Sequence, residues 1–337
     1  MCQVCGCGPE NIRIDGKGDG EAGGGNHMHL HAPHHHDGDH HHHGDGHHHD
    51  HDAGHHHHGD DHSHGLHRDD HEHQHYIAGA GDLHFGKDVA KTHVPGMSQK
   101  RLVQIEQEIL AKNGMFADDV RDELCAHGVL ALNLIASPGA GKTTLLVETL
   151  QRLKGNFPTW VIEGDQETSN DADRIRATDT QAVQINTGKG CHLDADMIQR
   201  ALASLSLEQG GVLFIENVGN LACPAGFDLG EAHKVVILSV TEGDDKPVKY
   251  PEAFAAADLL VISKSDLAPY CDFDIEACIV RAREINPAIE SIVVSARNGT
   301  GMTEWLDWIV RARQQQLQDL ARDLQARVES IRNTLHV

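Results

Sequence analysis

Val129-Leu130-Ala131-Leu132-Asn133-Leu134-Ile135-Ala136, followed by Ser137-Pro138-Gly139-Ala140-Gly141-Lys142-Thr143-Thr144, reads as a strand that runs into a phosphate loop and on into a helix. All but one of the first eight residues are apolar, as a parallel strand covered on both faces requires. Gly139 and Gly141 let the backbone curl so that successive N–H groups point at one anion. The helix start adds its positive end, and Lys142 reaches the β and γ phosphates. Thr143 supplies a hydroxyl to Mg²⁺. Ser137, Pro138, Gly139, Ala140, Gly141, Lys142, Thr143 and Thr144 are therefore the candidate phosphate-binding set. Ala136 stands where the general pattern has Gly, and the strand-loop-helix setting carries the assignment.

Downstream, short apolar runs alternate with helical stretches. Thr159 to Glu163, Ala182 to Ile185, Val212 to Ile215, Val235 to Val240, Leu259 to Ile262 and Ser291 to Val294 read as buried strands. Lys142 to Lys154, Asp194 to Ser204, Pro247 to Ala256, Asp274 to Ile285 and the stretch from Gly301 are long enough for crossover helices. The fold class is α/β, a P-loop GTPase with a mostly parallel, doubly wound sheet. Upstream, Leu102, Ile105, Ile109 and Leu110 recur at helical spacing, and Met115 to Leu124 reads as a continued helix or helical turn. Trp305 to about Asn333 reads as a long charged amphipathic helix, whose expected role is to cover the sheet and whose alternative role is a partner contact.

Mg²⁺ takes oxygen ligands and one or two carboxylates. Asp165 and Glu216 each follow an apolar strand and are candidates; with Lys142 and Thr143 they form the expected catalytic set. Gly219, three residues past Glu216, offers a backbone N–H to the γ-phosphate. Ser263-Lys264-Ser265-Asp266 follows a late strand: the Asp266 carboxylate accepts from two N–H groups that guanine presents and adenine does not, while the Lys264 stem lies over the ring. Ser263 replaces the usual Asn there, and its single hydroxyl is expected to bridge base and backbone less well. Ser295-Ala296-Arg297 fits the loop beside the base. The pattern favours GTP over ATP, and no residue declares itself as the group that positions the attacking water.

The first 95 residues have a different texture. Of 30 His in the chain, 24 lie between His27 and His75, among ten acidic residues and a single basic one, Arg68. Residues 1–95 cannot form a core and read as a disordered metal-binding tail, leaving 96–337 as the GTPase domain. Neutral imidazole is a ligand for Ni²⁺, Cu²⁺ and Zn²⁺. Runs such as His34-His35-His36, His41-His42-His43, His47-His48-His49 and His55-His56-His57-His58 suit several exchangeable ions rather than one defined site. Cys2-x-x-Cys5-x-Cys7 is compact enough to wrap one ion. Within the nucleotide domain, Cys191-His192 and Cys223 lie in segments that follow strands and can meet on one sheet edge, where a metal on all three shares a loop with Gly219. Cys125, Cys271 and Cys278 read as packing residues.

The formal net charge of −23 excludes an electrostatic nucleic-acid binder, since no Lys/Arg cluster exists. No apolar run approaches the roughly 18 residues of a membrane span, and the amino terminus lacks the basic and apolar regions of a secretory signal. A cytoplasmic protein without nucleic-acid or membrane partners is expected, in which cysteines serve as ligands or core residues.

Taken in order, Cys2-x-x-Cys5-x-Cys7, the His tract, Ser137 to Thr143, Glu163-Gly164-Asp165, Cys191-His192, Glu216-Asn217-Val218-Gly219-Asn220-Leu221, Cys223-Pro224 and Asp228-Leu229-Gly230-Glu231 resemble the hydrogenase nickel-incorporation GTPases, the HypB family, over nearly the whole chain. The His tract matches the nickel-storing members. The resemblance implies a slow GTPase, converting GTP to GDP, that forms a homodimer with nucleotide or metal. It also implies that nickel is taken from or with a small HypA-type metallochaperone and delivered to the [NiFe]-hydrogenase large subunit. By position, Cys191, His192 and Cys223 are then the metal ligands of the G domain, and Cys2, Cys5 and Cys7 the tighter amino-terminal site, with Zn²⁺ able to compete for both. Two other readings compete: a nickel store with a vestigial GTPase domain, or a chaperone GTPase serving another target such as urease. The urease accessory GTPase is expected to carry Cys-Pro-His, whereas this chain has Cys191-His192 with no intervening Pro.

Overall fold

The computed structural model describes residues 99–166 and 170–335, together with four short strands nearer the amino terminus: β1 (Arg13–Ile14), β2 (Lys17–Gly18), β3 (Tyr76–Ala78) and β4 (Asp82–His84). The proposed ligands Cys2, Cys5, Cys7 and the His runs lie outside the described residues, as does the expectation of tail disorder. Residues 1–22 and 94–337 form one unit, and 23–93 another. In the second, β3 and β4 pair antiparallel.

After β1 and β2, the first unit continues with one unbroken helix, α1 (Gln99–Ala126). Then follow β5 (Leu130–Ala136), α2 (Lys142–Leu153), β6 (Thr159–Asp165), α3 (Asn170–Arg176), β7 (Gln181–Asn186), α4 (Ala195–Leu202) and β8 (Val212–Glu216). The chain continues through β9 (His233–Ser239), α5 (Lys246–Lys249), α6 (Pro251–Ala255), β10 (Leu259–Ser263), α7 (Ile275–Ile285), β11 (Glu290–Val293) and α8 (Met302–Leu335). Seven strands run parallel in the order β11-β10-β9-β5-β8-β6-β7, and the β1-β2 ribbon extends the β7 edge antiparallel.

Every expected strand and crossover helix is present, with ends shifted by one or two residues. The stretch expected as one helix at Pro247 to Ala256 is two, because Pro251 cannot donate to the turn before it and Tyr250 leaves helical geometry (φ −127°, ψ 55°). The short helix α3 went unanticipated, since only Ala172 and Ile175 of its residues are buried and two positions make no periodic pattern. Asp194 and Asp274 cap α4 and α7 by accepting from Met197 N at 2.9 Å and Ala277 N at 3.0 Å.

Apolar strand residues fill clusters on both faces of the sheet. Leu132, Leu134, Phe214 and Val261 pack on one face with Trp305 and Ile309. Ala131, Ile162, Leu213 and Ile215 pack on the other with Val120 and Ile198. The first part of α8 thus covers the sheet as expected, whereas Ala321 to Leu335 is exposed at every position. Among the described residues, no helix is long and apolar enough to cross a membrane.

Candidate functional site

The chain passes from β5 to β6 and β7 on one side, returns as β8 between β5 and β6, then places β9 to β11 on the other side. This reversal leaves a crevice at the carboxyl ends of the strands, where open α/β sheets bind ligands. Into it opens the loop after β5. Gly139 (φ +76°) and Gly141 (φ +93°) hold the left-handed backbone that turns the chain, a conformation costly for residues with a Cβ. No side chain caps α2, so its first N–H groups face the loop as an anion cradle. Burial lowers the pKa of Lys142, against the opposing pull of Glu216, Asp171, Glu163 and Asp165.

Glu216 ends β8 beside β5, and Thr143 Oγ1 donates to its Oε1 at 2.6 Å. Its register partner on β6 is Glu163, and both carboxylates are 3% exposed. The Oε2 atom of each has no hydrogen-bond partner. Burial first, then the neighbouring Glu216 and Asp165, push Glu163 up to about 8. Burial likewise raises Glu216 to about 7, against Lys142 and the Thr143 hydroxyl. Glu163 is a site residue that the reading of the strand as a mere apolar run missed; the signal was a carboxylate inside that run, two residues before Asp165.

Mg²⁺ fits this edge. Thr143, Asp165, Glu216 and Glu163 present only oxygen, and the buried Oε2 atoms of Glu163 and Glu216 are left without a hydrogen-bond partner. Among the described residues no three His, Cys, Asp or Glu side chains converge tightly enough to cage an ion. That suits an ion completed by phosphates and waters around one or two carboxylates. Behind the cradle, Arg174 on α3 donates to Thr144 Oγ1 at 3.1 Å.

On the β10 side, a cavity of about 280 Å³ is lined by Gly141, Thr144, Ser263, Lys264, Asp266 and Ala296, among others. Ser295 Oγ donates to Asp266 Oδ1 at 2.6 Å, which fixes the carboxylate at the cavity wall. Lys264 sits at φ +56° and its ammonium donates to Gly139 O at 2.6 Å. Ser263, buried at the end of β10, donates to Ala140 O at 2.6 Å. One hydroxyl thus ties the base pocket to the phosphate loop, because the backbones approach closely enough for a short side chain to span them.

Cys191 and His192 lie beyond β7. Cys191 Sγ is 3.5 Å from His192 Nδ1, and His192 stacks on Phe227 with ring centroids 3.9 Å apart. Burial pulls the His192 pKa down to about 4, which keeps the imidazole neutral, the form that binds metals. This segment is bound to the loop after β8: Asn217 Oδ1 accepts from Leu193 N at 3.2 Å and Val218 N at 3.0 Å, and Asn220 Nδ2 donates to Cys191 O at 3.4 Å. The same loop lies on the phosphate cradle. Asn220 bridges Ala136, and a Cβ added at Gly219 would stand 3.2 Å from Pro138 Cα. Cys223, half-buried before the turn Pro224–Gly226, does not join Cys191 and His192 as a third donor in the single chain. Of the cysteines assigned to packing, Cys278 is buried and Cys271 half-buried, but Cys125 is exposed, since it falls on the outer face of α1.

Cradle, carboxylate edge and base pocket on one parallel sheet define a P-loop, GTPase-like nucleotide-binding domain. Residues 130–293 match the family model described as CobW/HypB/UreG, nucleotide-binding domain. The hydrogenase maturation factor HypB of Escherichia coli (strain K12) is 60% identical over 229 residues, 68% of this chain and 79% of that protein. Its counterpart in Azotobacter vinelandii is 58% identical over 255 residues, 76% and 82% of the two chains. The crystal structure of HypB from Helicobacter pylori in complex with nickel superposes with a TM-score of 0.58 at 38% identity, covering 60% of this chain and 96% of that one. The chain belongs to the HypB family.

Proposed function

We propose that this protein is a GTP-hydrolysing nickel metallochaperone. Its tail, residues 1–95, stores nickel, and the domain from 96 to 337 delivers it to the [NiFe]-hydrogenase large subunit. The observation that carries this reading is that one loop, Glu216 to Cys223, belongs to both sites: it contacts the phosphate cradle through Gly219 and Asn220 and the Cys191-His192 segment through Asn217 and Asn220. The relatives' designation as hydrogenase maturation factors and the nickel bound by the Helicobacter protein support the cargo and the target.

Hydrolysis is an in-line attack of water on the γ-phosphate of GTP. Lys142 and the loop amides hold the charge that develops on the phosphate oxygens. Thr143, Asp165 and Glu216 would hold Mg²⁺, which would add positive charge there. Gly219, packed against Pro138, offers its N–H to the γ-phosphate; with phosphate gone, that contact is lost and Asn217 and Asn220 transmit the shift to Cys191 and His192. Nickel arrives with a HypA-type metallochaperone. Because the described residues of one chain bring together Cys191 and His192 without a third donor, the site is completed when Cys223 moves in or when a second copy joins on nucleotide binding.

The test is hydrogenase and urease activity in cells lacking the gene, in nickel-poor and nickel-rich medium. Loss of hydrogenase alone, partly rescued by nickel, is the expected result. Hydrogenase persisting in both media would overturn the target, and loss of urease alone would transfer it.

A further inference from the structure

Among the described residues, nothing covers the last part of α8, although its sequence is built for a partner. From Ala321 to Leu335 every residue is exposed, and Leu324, Val328, Ile331 and Leu335 leave 53, 47, 54 and 78% of their surface open. Their spacing, four, three and four, is that of the seam positions of a coiled coil, continued toward the domain by Ala321 and Leu317. The opposite face carries Arg322, Asp323, Glu329, Ser330 and Asn333. An isolated helix of this length is marginal in water, so the stripe calls for a cover.

The His-rich stretch is a poor cover: residues 19–75 are dominated by Gly, His and Asp, with Met28, Leu30 and Leu66 as their large apolar residues, too few to fill a seam of four large side chains. A second copy of the same helix does fill it, and the flanking charges select how. In a parallel pair Arg327 faces the partner's Arg332, like charges that repel. In an antiparallel pair with Val328 against the partner's Ile331, and Leu324 against the partner's Leu335, Arg327 faces the partner's Thr334 and Gln325 faces the partner's Arg332. No like charges meet. Sliding that pair by one heptad toward the domains sets Arg327 against the partner's Arg327.

We infer that the α8 tails of two copies pair antiparallel, through Leu324, Val328, Ile331 and Leu335, into a dimer that needs neither nucleotide nor metal. The position of the tail makes this contact separate from the site. Gln316 Nε2 donates to Val129 O at 2.8 Å, and Leu317 and Leu320 pack at Gly128, so the helix leaves the domain at the amino-terminal ends of the strands, opposite the phosphate cradle. The nucleotide edges of both copies stay open.

Sedimentation velocity on the full chain, without nucleotide and with a chelator, tests this over a concentration series, beside Leu324→Glu/Ile331→Glu and a chain ending at Leu320. The full chain is expected to show a concentration-dependent dimer that both variants lose, with GTP hydrolysis per chain at low protein concentration unchanged. The double variant is also expected to lose helical circular dichroism equivalent to the freed tail. A full chain monomeric throughout the series, or variants that dimerise as the parent does, overturns the inference. If the parent is monomeric and deleting residues 1–95 creates the dimer, the tail covers the stripe and the self-pairing assignment fails in the intact protein.

Discussion

Asn217 Oδ1 accepts the backbone N–H of Leu193 at 3.2 Å, so a single side chain joins the loop that carries Glu216 and Gly219 to the segment that carries Cys191 and His192. Asn217 is 1% exposed. Its amide donates in turn to Asn133 Oδ1 at 3.2 Å, and Asn133 donates to Glu231 Oε1 at 3.1 Å, which anchors the linkage to β5 and to the start of β9. Asn217→Ala leaves the Leu193 N–H without its partner in the interior, a loss of about 1–3 kcal/mol in stability. Nickel affinity at the Cys191-His192 site, measured by competition with a colorimetric chelator, is expected to differ between GDP and a non-hydrolysable GTP analogue in the parent. In Asn217→Ala the ratio is expected to fall toward one. A folded variant that keeps the parental ratio would show that the coupling runs elsewhere.

The buried carboxylates set a pH dependence. Glu163 and Glu216 are raised in the fold, to about 8 and about 7, from an ordinary value of 4.5. The folded chain therefore binds more protons than the unfolded one between pH 4.5 and 8, and stability falls as pH rises through that window. His192, lowered to about 4 from 6.5, acts in the opposite sense below pH 6.5, where stability falls as pH falls. Between pH 6.5 and 8 only the carboxylates act among these three. The melting temperature without nucleotide is expected to drop over that interval, and to drop less in Glu163→Gln, which stays neutral. Equal slopes for parent and variant in thermal unfolding would remove Glu163 from the account.

Asp266 is the residue proposed to read the base. With its carboxylate held by Ser295 at 2.6 Å, Asp266→Asn replaces an acceptor with a donor at the cavity wall. Affinity for GTP is expected to fall by about 1.5–3 kcal/mol, the value of hydrogen bonds to a charged group, and xanthosine triphosphate, which has a carbonyl where guanine has an amino group, is expected to bind better than to the parent. Fluorescent-nucleotide displacement reads both changes. Unaltered preference for GTP would place the base elsewhere.

Ser263→Ala tests the tie between pocket and cradle. Losing the hydroxyl that donates to Ala140 O at 2.6 Å is expected to weaken nucleotide binding by about 1 kcal/mol. Ser263→Thr keeps the hydroxyl and is expected to recover most of it, as read by the same displacement assay. If Ser263→Ala binds like the parent, the tie is structural decoration.

Removing Lys142 takes away the half-buried cation at the cradle. In Lys142→Ala, single-turnover phosphate release is expected to slow by about 10²–10³, the loss found when one donor to a developing oxyanion is deleted. Retention of the parental rate would mean that the loop amides carry the charge without it.

Much of this was legible locally. The strand from Val129, the glycines at 139 and 141, and the alternation of apolar runs with helical stretches all act over a few residues, so their order along the chain determined the α/β fold, the cradle and the pocket loops. What only the tertiary structure decided depends on which strands become neighbours. Glu163 and Glu216 are far apart in sequence and meet because β8 inserts beside β6. Ser263 reaches Ala140 because the β10 and β5 loops converge, and Asn217 acquires its role because β7 and β8 send their following loops to the same edge. The end of α8 is the converse: its heptad stripe is written in the sequence, but that the sheet stops short of it, leaving the stripe open, is a property of where the helix leaves the domain. Spacing along a chain specifies local geometry, whereas desolvation and hydrogen bonding across strands are settled by packing.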